Sequence, residues 1–167
     1  MLELRELSQK TLEIFGVSDV TDLKDAFMKH LSDTEKAESF CKLIEGDLTK
    51  DWLQMIFQYY EADRKEKKQD YTPKCLGTFL SRLVGESTET IDMCAGSGAL
   101  TIQRWLENPN MCFLLYEIDE NVIPYLLYNM MLRNISGTVY LGDVLQNQIE
   151  KAWMIRKGDR FGNVISI

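Results

Sequence analysis

One histidine, three prolines and four widely spaced cysteines leave this chain with little of the usual equipment for site chemistry. His30 lies between Met28 and Leu31 near the end of a helical pattern, and is expected to be structural or merely exposed rather than catalytic. Cys41, Cys75, Cys94 and Cys112 form none of the close pairs that a zinc site uses, so buried reduced thiols are expected. Positive charge is also short. The net charge of −7 excludes a general nucleic-acid-binding surface, which needs Lys and Arg in excess. The one basic cluster, Arg64-Lys65-Glu66-Lys67-Lys68, reads as a solvated helix end. No apolar run is long enough to span a membrane, and Met1-Leu2-Glu3-Leu4-Arg5-Glu6 lacks the basic start and apolar core of a signal peptide. The expected location is therefore the cytoplasm, with no membrane partner. Internal repeats and low-complexity segments are absent as well.

What is present is a globular composition, 45% apolar and 27% charged, enough for one domain with a helical extension. Leu4, Leu7, Leu12 and Phe15 recur at helical spacing, and Gly16 follows as a C-terminal glycine would. Ser18 or Asp19 can cap a second helix carrying Leu23, Phe27 and Leu31, and a third begins near 32–35. A fourth, after Gly46-Asp47, carries Trp52, Met55, Ile56, Tyr59 and Tyr60. Residues 1–62 thus form a helical segment, and the charged stretch 63–70 reads as a linker into a second region, 63–167. There Pro73 opens a helix that Gly85 closes. Beyond it the pattern predicts strand 90–94, helix 98–107, strand 111–116, helix 121–134, strand 138–141, helix 146–155 and strand 163–167. Such alternation is the signature of a parallel sheet wound with helices, an α/β architecture.

The first strand runs into Asp92-Met93-Cys94-Ala95-Gly96-Ser97-Gly98 and then directly into a helix, the order a nucleotide-type cofactor requires. Gly96 and Gly98 can take positive φ and let backbone approach a ligand. No Gly-Lys-Ser/Thr follows, which excludes a P-loop. Glu117 ends the second strand about 20 residues after Gly96, where a carboxylate can accept both ribose hydroxyls. Asp92 would repel a pyrophosphate, by about 4 kcal/mol for charges ~4 Å apart at an effective dielectric of ~20. It would attract an ammonium and a sulfonium, which S-adenosylmethionine carries together with a ribose. Asp143 ends the third strand, within reach of an adenine amine. Each acid alone could be an ordinary cap or turn residue. Three of them at the carboxyl ends of successive strands mark the edge where open α/β sheets bind ligands.

Asp92-Met93-Cys94-Ala95-Gly96-Ser97-Gly98 resembles the cofactor motif of the N6-adenine DNA methyltransferases, and most nearly that of the modification subunit of type I restriction systems. Gln69-Asp70-Tyr71-Thr72-Pro73, Tyr116-Glu117-Ile118-Asp119, the segments Asn129-Met130-Met131-Leu132 and Asn134-Ile135-Ser136-Gly137, and Gly142-Asp143-Val144-Leu145 agree in order. The likeness covers about 64–145. It implies a Rossmann-like S-adenosylmethionine-dependent fold, a truncated parallel sheet preceded by a helical segment. It also implies roles. Tyr71, Thr72 and Pro73 would border the methionine end; Asp92 and the backbone of Cys94, Ala95, Gly96, Ser97 and Gly98 would hold the amino-acid group. Glu117 would bind the ribose, Ile118 would pack on the adenine face, and Asp143 with the Val144 backbone would read the adenine edge.

The resemblance also implies an Asn/Asp-Pro-Pro-aromatic run after the fourth strand, which would hold a flipped target base. None of the three prolines here adjoins another, and Ile167 stands about where that run would begin. The expectation is a cofactor-binding portion that is inactive alone, either a fragment of an open reading frame or half of a split enzyme whose second polypeptide supplies the catalytic loop, with DNA contacted only within such a complex. The alternative is a non-catalytic S-adenosylmethionine-binding or interaction module. Residues 164–167 are expected to be covered by another chain, by a second copy in a homodimer, or by the helical N-terminal half.

Overall fold

The computed structural model describes residues 3–60 and 74–167. Four helices come first: α1 (Leu4–Phe15), α2 (Leu23–Lys29) behind a short 3-10 turn at Val20–Asp22, α3 (Thr34–Leu43) and α4 (Trp52–Tyr60). Gly16 ends α1 in the left-handed conformation at φ +70°, Asp19 caps the 3-10 turn through the Thr21 amide, and Asp33 caps α3 through the Lys36 amide. His30 follows the last turn of α2 and is bonded to Asp33 at 3.0 Å.

Then come α5 (Lys74–Val84), β1 (Glu89–Asp92), α6 (Ala99–Glu107), β2 (Cys112–Glu117), α7 (Ile123–Leu132), β3 (Ser136–Asp143), β4 (Gln148–Arg156) and β5 (Asn163–Ser166). The five strands form one sheet in the order β1-β2-β3-β4-β5. The first three are parallel; β4 runs antiparallel to β3, and β5 antiparallel to β4. The sheet is therefore mixed rather than purely parallel.

The helix expected over 146–155 is strand β4. A tight turn decides it: Asp143 Oδ1 accepts the amides of Leu145 and Gln146, and Asn147 takes φ +53°. The chain doubles back on β3 and pairs Thr138 with Met154 and Val139 with Trp153. Gln, Glu, Lys, Ala and Met favour a helix here, but cross-strand pairing with Trp153 and Ile155 facing the core outweighs that preference.

Both parallel crossovers step the same way across the sheet, so right-handed connections put α6 and α7 on one face. All ten residues of α7 are buried. Its inner side meets the sheet, where Phe113, Leu115, Val139 and Leu141 are buried. Its outer side meets the N-terminal helices: Phe27 packs edge-on to Tyr125 and stacks on Tyr128, and Phe15 meets Tyr128 edge-on. A helix apolar all round is the expected sequence for this middle layer. The hydrophobic core runs continuously from Leu7 to Phe161 through α7.

On the other face of the sheet, register aligns Ile91, Leu114, Thr138, Met154 and Ile165, with Tyr116 stacked on Tyr140 at 4.7 Å. Among the described residues no helix covers this face. Val164 packs toward the core on the side where α7 meets β5, whereas Ile165 and Ile167 are exposed. Cys41 is the one buried cysteine; Cys75, Cys94 and Cys112 are exposed, against expectation, because they fall on solvent-facing positions of α5, the turn and β2. No described helix is long and apolar enough to cross a membrane.

Candidate functional site

The carboxyl edge of the three parallel strands carries Asp92, Glu117 and Asp143 as their last residues. Asp92 pairs with Leu115 and Glu117 with Leu141, so each acid stands two residues beyond its neighbour's level. With strands about 4.8 Å apart, the three step obliquely along one rim.

Between β1 and α6 the chain makes the expected turn. Gly96 has φ +57° and Gly98 φ +98°, both in territory that favours glycine. A Cβ on Gly96 would meet nothing within 4 Å, which leaves open space above its backbone. A Cβ on Gly98 would come within 3.0 Å of a Leu126 methyl, so this glycine lets the turn lie close against α7. The Ala95 amide donates to the Tyr116 carbonyl at 2.9 Å, and the Gly98 amide to the Ala95 carbonyl at 3.0 Å.

Glu117 closes onto this turn. Its Oε2 accepts the Gly96 amide at 2.7 Å, while Oε1 accepts the amides of Ile118 and Asp119, each at 2.8 Å. The carboxylate is thereby fixed in orientation, with both lone pairs of Oε1 engaged and one on Oε2 left for a ligand hydroxyl. Ile118, beside it, is 64% exposed, an apolar surface on the rim.

Asp92 accepts the Cys94 amide at 3.0 Å, and partial burial raises its carboxyl above the usual range despite that bond. Among the described residues no cation pairs with it. Cys94 is exposed, whereas the Ala95 side chain is buried. Ser97 is also buried, and its hydroxyl turns away from the rim to donate to Asp51 Oδ2 at 2.8 Å. Asp143 spends its oxygens on its own turn, with Gln146 Nε2 donating to Oδ2 at 2.8 Å. It lies along the rim with Val144 rather than against the glycine turn. Tyr71, Thr72 and Pro73 lie outside the described residues.

The structure thus brings together Asp92, the 95–98 backbone, Glu117 and Ile118, with Asp143 and Val144 beside them. Sequence reasoning missed Asp51, Asn129 and Arg133 beneath the turn. Asp51-Trp52-Leu53-Gln54 had the form of a helix start, and Asp51 does accept the Gln54 amide at 2.8 Å. Nothing in the local sequence pointed from residue 51 to residue 97.

No group of His, Cys, Asp and Glu among the described residues could hold a metal ion. The arrangement suits an organic ligand with a hydroxyl for Glu117 Oε2 and a positive group for Asp92. No curated protein and no solved structure matches the chain. The sequence pattern of the N-6 DNA methylases matches residues 44–166, which takes in α4, the glycine turn and all five strands. The chain belongs to the N-6 DNA methylase family.

Proposed function

We propose that this chain is the S-adenosylmethionine-binding portion of a DNA adenine-N6 methyltransferase of the restriction-modification type. The observation that carries the reading is the Glu117 carboxylate held 2.7 Å from the Gly96 amide, at the mouth of a turn whose Gly96 leaves open space above it. A ribose offers a hydroxyl to the remaining lone pair of Oε2. Asp92, partly buried and with no cation beside it among the described residues, suits an ammonium, which would relieve its desolvation. Exposed Ile118 suits an adenine face, and Asp143 an adenine amine.

When bound, the cofactor would supply an electrophilic methyl group on sulfur. This chain's residues bind and orient it: Asp92 and the turn backbone at the amino-acid end, Glu117 at the ribose, and Ile118, Asp143 and Val144 at the base. Holding a flipped adenine and directing its amino group need further groups. The 167 residues carry no Asn/Asp-Pro-Pro-aromatic run, and we assign that task and the DNA contacts to groups outside them. The same lack of a catalytic run favours a second reading, a non-catalytic S-adenosylmethionine-binding module. A sheet face that no described helix covers, bearing Ile91 and Ile165 with Ile167 beyond, supports a partner chain, or a second copy, in either case.

The test is calorimetric titration with S-adenosylmethionine, with NADH as the control ligand and Glu117→Ala beside the native chain. Selective binding that the variant loses supports the cofactor site. No heat at millimolar S-adenosylmethionine refutes it. Methyl transfer to adenine by these 167 residues alone would refute the assignment of catalysis to groups outside them.

A further inference from the structure

Beneath the glycine turn lies a buried polar chain, Arg133–Asn129–Asp51–Ser97, that joins three distant parts of the sequence. Asp51 caps α4 and is almost wholly enclosed. Its Oδ1 accepts from the Gln54 amide and from Asn129 Nδ2, each at 2.8 Å, and its Oδ2 from the Ser97 hydroxyl at 2.8 Å. Asn129, on α7, also donates to the Ser97 carbonyl at 2.9 Å. Its orientation is set by Arg133, whose Nη1 donates to Asn129 Oδ1 at 2.8 Å. Arg133 in turn holds the carbonyls of Leu48 and Lys50, at 2.9 and 2.7 Å, in the loop ahead of α4.

We infer that Asp51 is a positioning residue for the cofactor turn: through Ser97 it fixes the 95–98 backbone at the height and angle from which that backbone meets the ligand. The inference rests on the cofactor reading proposed above, and extends the site into the N-terminal helical layer. Ser97 is gripped at both its hydroxyl and its carbonyl, and Gly96 is gripped by Glu117 from the other side. Two carboxylates from different layers therefore hold adjacent residues of one turn. Gly96 and Gly98 each leave the backbone loose in the unfolded chain, so a turn containing both needs external anchors to keep one shape.

The chemistry of the node also argues for geometry over stability. Burial raises Asp51 and lowers Arg133 to about 10, each opposed by the charge of the other. A buried pair of this kind, separated by an asparagine, is a poor source of net stability compared with apolar packing. What it does supply is direction. Each donor and acceptor in the chain has its partner, and only one arrangement of Ser97 satisfies them all.

The experiment compares native protein, Ser97→Ala and Asp51→Asn by amide hydrogen exchange without ligand, and by calorimetric titration with S-adenosylmethionine. Ser97→Ala removes the link and leaves Asp51 its other two donors, so it keeps the fold if Asp51→Asn does not. The expected result is about tenfold or faster exchange at Gly96 and Gly98, unchanged protection in α1 and α3, and about tenfold weaker binding. Unchanged exchange at the turn in Ser97→Ala, or equal loosening throughout α1 and α3, overturns the inference. A native chain that binds no S-adenosylmethionine overturns the cofactor reading itself, and with it the positioning role, even where the turn exchanges faster.

Discussion

Glu117 Oε2 accepts the Gly96 amide at 2.7 Å, joining the end of one strand to the turn that follows another. The other oxygen accepts two amides of its own turn. A glutamine has one acceptor where the carboxylate has two and carries no charge, so Glu117→Gln leaves at least one amide poorly matched. The expected loss is about 1 kcal/mol of stability, a fall of roughly 2–4 °C in Tm. Affinity for S-adenosylmethionine should fall further, by at least about tenfold, since the bond from Oε2 to a ligand hydroxyl goes as well. Thermal denaturation beside titration separates the two effects. A drop in Tm with unchanged affinity would leave Glu117 a structural tie only.

Tyr128 illustrates the opposite case. Its ring is enclosed by Phe15, Phe27 and Phe40, and its hydroxyl is buried with no hydrogen-bond partner among the described residues. Burial, with Cys41 and Asp33 nearby, pushes the phenol well above its ordinary range, so it stays neutral. Tyr128→Phe keeps the ring and removes the orphan oxygen. An increase in stability of about 1 kcal/mol is expected, measured as a higher denaturant midpoint with unchanged slope. A loss of similar size would mean that the hydroxyl has a partner in solution.

The elements around the glycine turn were legible because their signals are local. Gly96 and Gly98 had to sit at positive φ, the apolar runs on either side had to be strand and helix, and acids at strand ends fell on one rim. β4 was not legible, because its composition favours a helix and only the hairpin turn at Asp143 and the pairing with β3 make it a strand. Ser97 shows the same limit at the site. Its sequence position placed it in the turn, but the direction of its hydroxyl depends on Asp51, a residue of the helical half. The character of α7 was visible as an apolar helix; the reason all of it is buried, a layer on each side, is tertiary.

Asp47 gives a pH dependence of known sign. It accepts the Thr49 amide and hydroxyl and pairs with Lys50 at 3.0 Å, and these contacts lower its carboxyl from 3.8 to about 2. A lowered folded value favours the folded state above pH 3.8, and that contribution is lost as pH falls from 3.8 toward 2. The group is largely solvent-screened, so the contribution is about 1 kcal/mol or less. Asp47→Asn should therefore lower stability at pH 6 by that amount and converge with the native chain near pH 2, by denaturant titration across the range. A difference that persists unchanged at pH 2 would place its origin outside this carboxylate.

The two glycines of the turn should separate fold from ligand. At Gly96, φ +57° is a left-handed conformation that alanine tolerates at about 1 kcal/mol, and no protein atom stands in the way. At Gly98, φ +98° lies beyond that well, and the added methyl meets Leu126 at 3.0 Å in the packed contact with α7. Gly98→Ala should therefore cost about 2 kcal/mol or more of stability. Gly96→Ala should cost less in stability and more in binding, because its methyl enters the space above the turn where a cofactor backbone would lie. Paired measurements of denaturant midpoint and S-adenosylmethionine affinity give the contrast directly. If Gly96→Ala binds as well as native protein, the open side of Gly96 faces solvent, and the ligand has to be sought elsewhere along the rim, nearer Ile118 and Asp143.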